Sequence, residues 1–131
     1  MAMLAEAMKA AGITFVEYHG GVSTAHRDSN VDNWLTVGGA QVFLANAKSA
    51  GTGLNLQGLC NRALYYTNTF DAIDRWQSED RIHRIGTVGA CVYTDMIADK
   101  SVDRYILTNL RRKKGLAQMV LSDLSEAMAD F

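Results

Sequence analysis

The apolar and polar positions along the chain change their period several times. Residues 2–11 (AMLAEAMKAA) are rich in Ala and Met, which favour helix, and Gly12 follows as a stop. Residues 13–18 (ITFVEY) form a short β-branched and aromatic run, the pattern of a strand, closed by His19-Gly20-Gly21. Ser23 is placed to cap a helix reaching Leu35, and Gly38-Gly39 break it. A second strand is predicted over 41–45 (QVFLA), followed by a glycine-punctuated loop, NAKSAGTGLNLQG. Residues 62–68 (RALYYTN) read as a third strand. Asn68 or Thr69 can cap a helix over 71–84, and 90–97 (ACVYTDMI) is a fourth strand. The segment 101–114 predicts an amphipathic helix with Val102, Tyr105, Ile106 and Leu110 on its apolar side. Gly115 is expected to separate it from a last short helix, LAQMVLSDLSEAM.

Strands that alternate with helices favour a parallel sheet covered on both faces, so the expected fold class is α/β, a three-layer α/β/α sandwich with a mainly parallel sheet. Right-handed crossovers bring the strand-to-helix loops to one sheet edge, and ligands of such sheets bind at the carboxyl ends of the strands. The loops after Tyr18, Ala45, Tyr66 and Ile97 are therefore the places to look for chemistry.

Composition narrows this further. A chain of 131 residues, 48% hydrophobic and 21% charged, fits one globular domain. The net charge of -1 argues against a uniformly basic nucleic-acid-coating protein, but it is a sum over unlike segments. Residues 71–114 carry nine basic and seven acidic side chains, and residues 115–131 carry three acidic and no basic ones. No apolar run approaches the ~20 residues that span a bilayer, and the N-terminus lacks the basic region of a secretory signal. Cys60 and Cys91 are far apart, each in or beside an apolar run, and read as reduced core thiols in a cytosolic protein. No C-x-x-C pair suggests a metal site.

Two segments stand out chemically. Ala47 to Gln57 (AKSAGTGLNLQ) is a small-residue loop after a strand, through which backbone N–H groups can approach phosphate or ribose oxygens. No Gly-Lys-Ser/Thr follows, so it is not a P-loop, and glycine needed only for a tight connection accounts for it equally. The second is Asp74 to Gly86 (DRWQSEDRIHRIG). On a helix at ~100° per residue, Gln77, Arg81 and Arg84 fall within roughly 60° of one another, so one face presents an amide and two guanidiniums suited to phosphate. The competing reading is a solvated face whose arginines pair with Asp74, Glu79 and Asp80.

The order of the two segments favours chemistry. AKSAGTGLNLQ resembles motif V, and QSEDRIHRIG resembles motif VI, of the Swi/Snf-type branch of superfamily 2 helicase-like ATPases. YHGGVS at 18–23 is similar to a weaker motif of the same lobe, and the likeness covers about residues 3–110. The resemblance implies a RecA-like (P-loop NTPase-like) second lobe over 1–115, with 116–131 as a C-terminal helical tail. In this family ATP sits between two such lobes and nucleic acid lies across both. The first lobe supplies the Walker A loop and the D-E-x-H motif, and the chain holds no Gly-Lys and no Asp-Glu pair. It matches the second lobe alone, and is expected to be inactive by itself.

Carried over by position, Arg81 and Arg84 resemble arginine fingers, the catalytic residues that reach the γ-phosphate. Gln77, Gly51, Gly53 and Asn55 would line the ATP site. His19, Gly20, Lys48 and Ser49 would face the nucleic-acid backbone. The implied cofactor is ATP with Mg, bound mainly by the first lobe, and no metal ligands are assigned in this chain. The implied partners are that first lobe, in the same parent protein or a separate chain, and DNA, as a duplex contacted through its phosphates without regard to sequence. No membrane contact is expected, and the location would be cytoplasmic or nucleoid-associated, or nuclear in a eukaryote. Ala50 stands where the family more often has Gly, and Thr87 where it often has Gln. The lobe ordinarily begins with a strand before its first helix, and the chain is expected to lack it. A rival reading is a non-catalytic DNA-binding or protein-interaction module derived from such a lobe. A third is a lobe of a restriction translocase or RNA helicase.

The remaining residues take blander roles. Trp76 and Trp34 are read as packing residues, and His83 as a structural hydrogen-bonding residue. Tyr65 and Tyr66 point to opposite faces of one strand. The run Arg111-Arg112-Lys113-Lys114 complements a helix C-terminus. It is also a candidate contact to nucleic acid or a brace to the first lobe.

Overall fold

A computed structural model describes residues 1–50, 54, 56, 60–83 and 89–129, with the backbone alone at 50, 123, 124 and 126–129. The elements follow in the order α1 (Ala2–Ala10), β1 (Phe15–Tyr18), α2 (Thr24–Leu35), β2 (Val42–Ala45), α3 (Ala47–Ala50), β3 (Arg62–Tyr65), α4 (Ala72–Glu79), β4 (Val92–Asp95) and α5 (Val102–Ala129). Alternation of helix and strand thus holds, and the fold is α/β. β1 pairs in parallel with β2, with Phe15 opposite Val42 and Tyr18 opposite Ala45. β3 pairs in parallel with β4, with Arg62 opposite Val92 and Tyr65 opposite Asp95. Among the described residues these are two separate two-stranded ladders.

Local chemistry sets the boundaries. Helix α1 ends where Gly12 takes a φ of +68°; its N–H bonds Lys9 O, and Ile13 N–H bonds Met8 O. That pair of bonds is a Schellman motif, and only glycine adopts its left-handed residue at no steric cost. Ser23 caps α2, its Oγ accepting from His26 N–H. Asn30 Nδ2 on α2 donates to Glu17 O of β1 at 2.8 Å, tying helix to strand.

Four expectations are corrected. The loop after β2 opens with one turn of helix, α3, because Asn46 Oδ1 accepts from Ser49 N–H at 2.8 Å and caps it. β3 stops at Tyr65 rather than Asn68, and Asn68 turns its amide to Arg75 and Asp95. The cap of α4 is therefore neither Asn68 nor Thr69 but Asp71, whose Oδ1 accepts from Ile73 N–H at 2.9 Å and Asp74 N–H at 3.4 Å. Finally, Gly115 does not break the last helix. Nothing there takes a positive φ, and α5 runs through it for 28 residues. One glycine costs a long helix about 1 kcal/mol, too little to interrupt it.

Two apolar clusters hold the chain. Leu54, Leu56 and Ile82 form the first, with Tyr18, Val31, Trp34, Phe43, Ala45, Cys60, Ala63, Cys91 and Tyr93 packed around it. Both ladders therefore touch one core. Phe43 lies between Tyr18, stacked at 5.7 Å, and Trp34, edge-on at 5.7 Å. Ala72, Ile106 and Leu110 form the second cluster with Trp76 against it, and this docks α5 on α4. Beyond Leu110 no described side chain of α5 is buried, and Leu116, Met119, Val120 and Leu121 face outward. Among the described residues, no helix is long and apolar enough to cross a membrane.

Candidate functional site

The parallel register fixes which loops leave together. Tyr18 and Ala45 are opposite each other at the carboxyl ends of β1 and β2, so His19-Gly20 and the Asn46–Ser49 turn emerge from one edge. This groups the four residues assigned to nucleic acid on the first ladder. Gly20 is exposed, as is Lys48, whereas His19 and Ser49 are half-buried. The His19 ring is already engaged. Nδ1 accepts from Gly21 N–H at 3.1 Å, and Nε2 lies 3.7 Å from Glu17 Oε1. The accepting Nδ1 leaves the ring proton on Nε2, toward the carboxylate.

The second segment departs from the expected single helical face. Helix α4 ends at Glu79 with Asp80 as its cap, so Arg81 sits in the following turn rather than on the helix with Gln77. The helix tightens there because Arg81 N–H bonds Ser78 O at 3.4 Å and Ile82 N–H bonds Glu79 O at 3.0 Å. These i→i−3 bonds often finish an α-helix. Tyr93 Oη of β4 adds a 3.2 Å bond to Glu79 O. Gln77 is exposed on α4. Gly51, Gly53, Asn55 and Arg84 lie outside the described residues.

What the structure does bring together is the turn after α4 and the loop after β2. Arg81 Nη1 donates to Leu54 O at 3.3 Å, and Leu56 N–H donates to Arg81 O at 3.1 Å. Leu54 and Leu56 are both buried in the core beside Ile82, which follows Arg81 directly. The two motif-bearing segments are thus stitched through backbone and side chain, with buried apolar residues on either side of the stitch. Among the described residues no three His, Cys, Asp or Glu side chains converge as metal ligands. What Arg81 and Gln77 offer a ligand is a cation and an amide.

Reasoning from the sequence missed Arg75. It is 7% exposed, yet it is charged, and its bonds account for its burial. Nε donates to Glu79 Oε1 at 2.7 Å, Nη1 to Asp95 Oδ1 at 2.5 Å and to Asn68 Oδ1 at 2.6 Å, and Nη2 to Asp95 Oδ2 at 3.4 Å. The guanidinium lies over the Tyr65 ring, 3.4 Å from its centroid. Ser78 Oγ donates to Arg75 O at 2.7 Å, so it accepts the Tyr65 hydroxyl proton across their 2.7 Å contact. Burial pushes the Tyr65 phenol up, which keeps it a donor. Burial disfavours charge on Arg75 and Asp95 alike, but their mutual bonds prevail. The guanidinium is held above its ordinary value and the carboxyl below its own. Lys114 Nζ of α5 closes the set on Glu79 Oε2 at 2.8 Å. The 111–114 run therefore turns partly inward, since Lys113 Nζ also reaches Phe70 O at 3.2 Å. DRWQSED signals only the i,i+4 pair with Glu79, because the other partners, Asn68 and Asp95, are 7 and 20 residues away.

These features define a class: a parallel α/β lobe in which the small-residue loop after one strand is bound to an arginine-bearing turn after a later helix. Residues 1–86 match the helicase conserved C-terminal domain, and the chain belongs to that family. It is 29% identical over 111 residues to the ATP-dependent helicase fft2 of Schizosaccharomyces pombe, covering 85% of this chain and 9% of fft2. It is 31% identical over 116 residues to the DNA repair and recombination protein RDH54 of Saccharomyces cerevisiae, covering 88% of this chain and 12% of that one. A SWI/SNF-related matrix-associated regulator of chromatin, the subfamily A member 3-like 1 protein of Arabidopsis thaliana, is 32% identical over 119 residues, covering 88% and 13%. The chain thus spans about a tenth of the length of these relatives. In three dimensions it resembles the C-terminal part of the Fun30 ATPase domain, with a TM-score of 0.74 and 22% identity over 83% of this chain and 35% of the other. The likeness to Swi/Snf-type helicase-like ATPases carried by the two motifs is borne out, and so is the RecA-like second-lobe fold.

Proposed function

We propose that the chain is the C-terminal lobe of a DNA-dependent ATPase that translocates on duplex DNA. It contributes Arg81 and Arg84 as arginine fingers to an ATP site completed by a first lobe. The observation that carries this reading is the double tie between Arg81 and the 54–56 segment, which makes one unit of the two segments that would line a nucleotide. A 3.3 Å bond to a neutral carbonyl is one that a phosphate oxygen can displace, because a guanidinium–phosphate contact adds attraction between opposite charges and can be bidentate. Gln77, exposed four residues before Arg81, would line this lobe's side of the cleft, and by the motif likeness Gly51, Gly53 and Asn55 would line it too. Mg would come with ATP and be held mainly by the first lobe, while Arg81 and Arg84 would supply positive charge to the phosphates. Developing charge on the phosphoryl oxygens is what such cations stabilise.

His19, Gly20, Lys48 and Ser49, at the shared end of β1 and β2, meet the DNA backbone in this reading, which makes binding sequence-independent and salt-sensitive. That fft2 is an ATP-dependent helicase and RDH54 a DNA repair and recombination protein supports ATP and DNA as the ligands. The place of action follows the DNA, which is nuclear in a eukaryotic cell and the nucleoid in a bacterial one. The test is ATPase activity. The isolated chain should show no turnover, and the chain joined to its first lobe should hydrolyse ATP faster with duplex DNA present. Arg81→Ala should lower that rate by on the order of 10³–10⁵. Turnover by the chain alone, or a fully active Arg81→Ala assembly, would refute the reading. Salt-sensitive DNA binding with no ATPase in any assembly would favour the derived interaction module.

A further inference from the structure

Helix α4 has eight residues, too few to be stable by themselves, so its direction is set by what it packs on. Its inward face is largely polar: Arg75 and Ser78 are buried, Glu79 is half-buried, and Ala72 and Trp76 alone are apolar. Apolar contact is non-directional and tolerates sliding. A guanidinium fork is not tolerant, because its N–H vectors are fixed in one plane. Here that fork is bonded to the last residue of β4 and to the connection between β3 and α4, and stacked on the last residue of β3. Through Glu79 it is also linked to Lys114 on α5. Six residues later the chain reaches Arg81.

We infer that Arg75 is a positioning residue for Arg81. It locks α4 to the carboxyl ends of β3 and β4 so that the turn after the helix presents the Arg81 guanidinium at one place beside the 54–56 segment. Ile82 fixes the far side of that turn in the apolar cluster, and Arg75 fixes the near side. With the near anchor loosened, α4 pivots about Ile82 and Arg81 moves with it. The catalytic half of this inference rests on the reading of Arg81 as a finger; the anchoring half does not.

Arg75→Lys and Arg75→Gln test it in two ways. In the ATPase assembled with its first lobe, both variants should lower kcat on the order of 10²-fold, the effect of a misplacement near 1 Å, with KM for ATP within about twofold. Arg75→Lys keeps the charge and loses the fork, so its failure to restore kcat separates geometry from charge. In the 131-residue chain itself, amide hydrogen exchange should quicken at Leu56, Ile82 and His83, while Phe15–Tyr18 and Val42–Ala45 keep wild-type protection. An active assembly whose Arg75→Gln form turns over like wild type would overturn the inference. So would exchange that rises equally in β1 and β2, since that is general destabilisation. An inactive wild-type assembly would sink the functional reading alone, and the exchange pattern would still decide the anchor.

Discussion

Ile73 and Ile82 are the same residue type nine positions apart, and the structure gives them opposite fates. Ile82 is 6% exposed, packed with Leu54 and Leu56, and Ile73 is 60% exposed on the outer face of α4. Ile82→Ala removes three buried carbons, worth ~0.8 kcal/mol each in transfer from water, or about 2.4 kcal/mol. The neighbours relax only partly around the hole, so the loss should lie at about 3 kcal/mol, within the range of roughly 2–5 kcal/mol for such truncations. Ile73→Ala exposes almost nothing new and should stay within about 0.5 kcal/mol. Urea unfolding of the two variants followed by far-UV circular dichroism reads this directly. With a slope of roughly 1–3 kcal/mol per M, the Ile82→Ala midpoint should fall by about 1–3 M, and that of Ile73→Ala should barely move. Equal midpoints, or a larger loss at Ile73, would refute the placement of the 80–82 turn against the 54–56 segment.

Asp71→Ala should cost about 1 kcal/mol in the same assay, because it orphans the Ile73 and Asp74 amides, whereas Thr69→Ala should cost less. Gly115→Ala should raise helicity and stability by about 0.5–1 kcal/mol, since beyond its immediate neighbours and its own turn of helix backbone no atom lies within 4 Å of an added Cβ. Gly39→Ala should destabilise, because its Cβ would run into the Asn33 carbonyl oxygen, and the difference between these two glycines is visible by thermal melting. Asp95 has a folded pKa below its unfolded one of about 3.9, so its contribution is complete above the ordinary carboxylate range and is lost as pH falls through the depressed value. Asp95→Asn should therefore weaken the protein at pH 7 and flatten the fall in its urea midpoint below about pH 4; parallel acid limbs would count against the Arg75–Asp95 pair.

The elements that sequence patterning captures here are those set by local chemistry. Gly12 and Ser23 act where their residue types act in any protein, and the four apolar runs all contain strands. The misses are cases in which a distant partner decides. Asn68 is an acceptable cap by type, but Arg75 and Asp95 claim its amide, and the cap passes to Asp71. Arg81 falls on a helical face by counting, yet the helix ends first because Tyr93 and the Leu54–Leu56 segment hold the turn. Counting shows only one of the partners of Arg75, Glu79 at i+4. The burial of Arg75 depends on an aromatic ring from β3 and a carboxylate from β4 arriving at the same point, and no period along one segment encodes that.

The two anchors of the 80–82 turn differ in kind, and the difference bears on how a lobe of this sort can work. The apolar anchor at Ile82 resists removal but is indifferent to small rotations. The polar anchor at Arg75 contributes modestly to net stability, because desolvating a buried ion pair offsets much of its attraction, yet it is sensitive to direction. In the proposed assembly, a guanidinium that meets a phosphate held on another lobe would need both: a core that keeps the turn in place and a fork that keeps it aimed. Lys114 ties the polar anchor to α5 and the apolar one touches both parallel ladders, so either way a displacement of a neighbouring element reaches Arg81 through a single shared turn. Charge neutralisation at Lys114, as in Lys114→Gln, should accordingly loosen the Glu79 end of α4 while leaving the Leu54–Leu56–Ile82 packing intact.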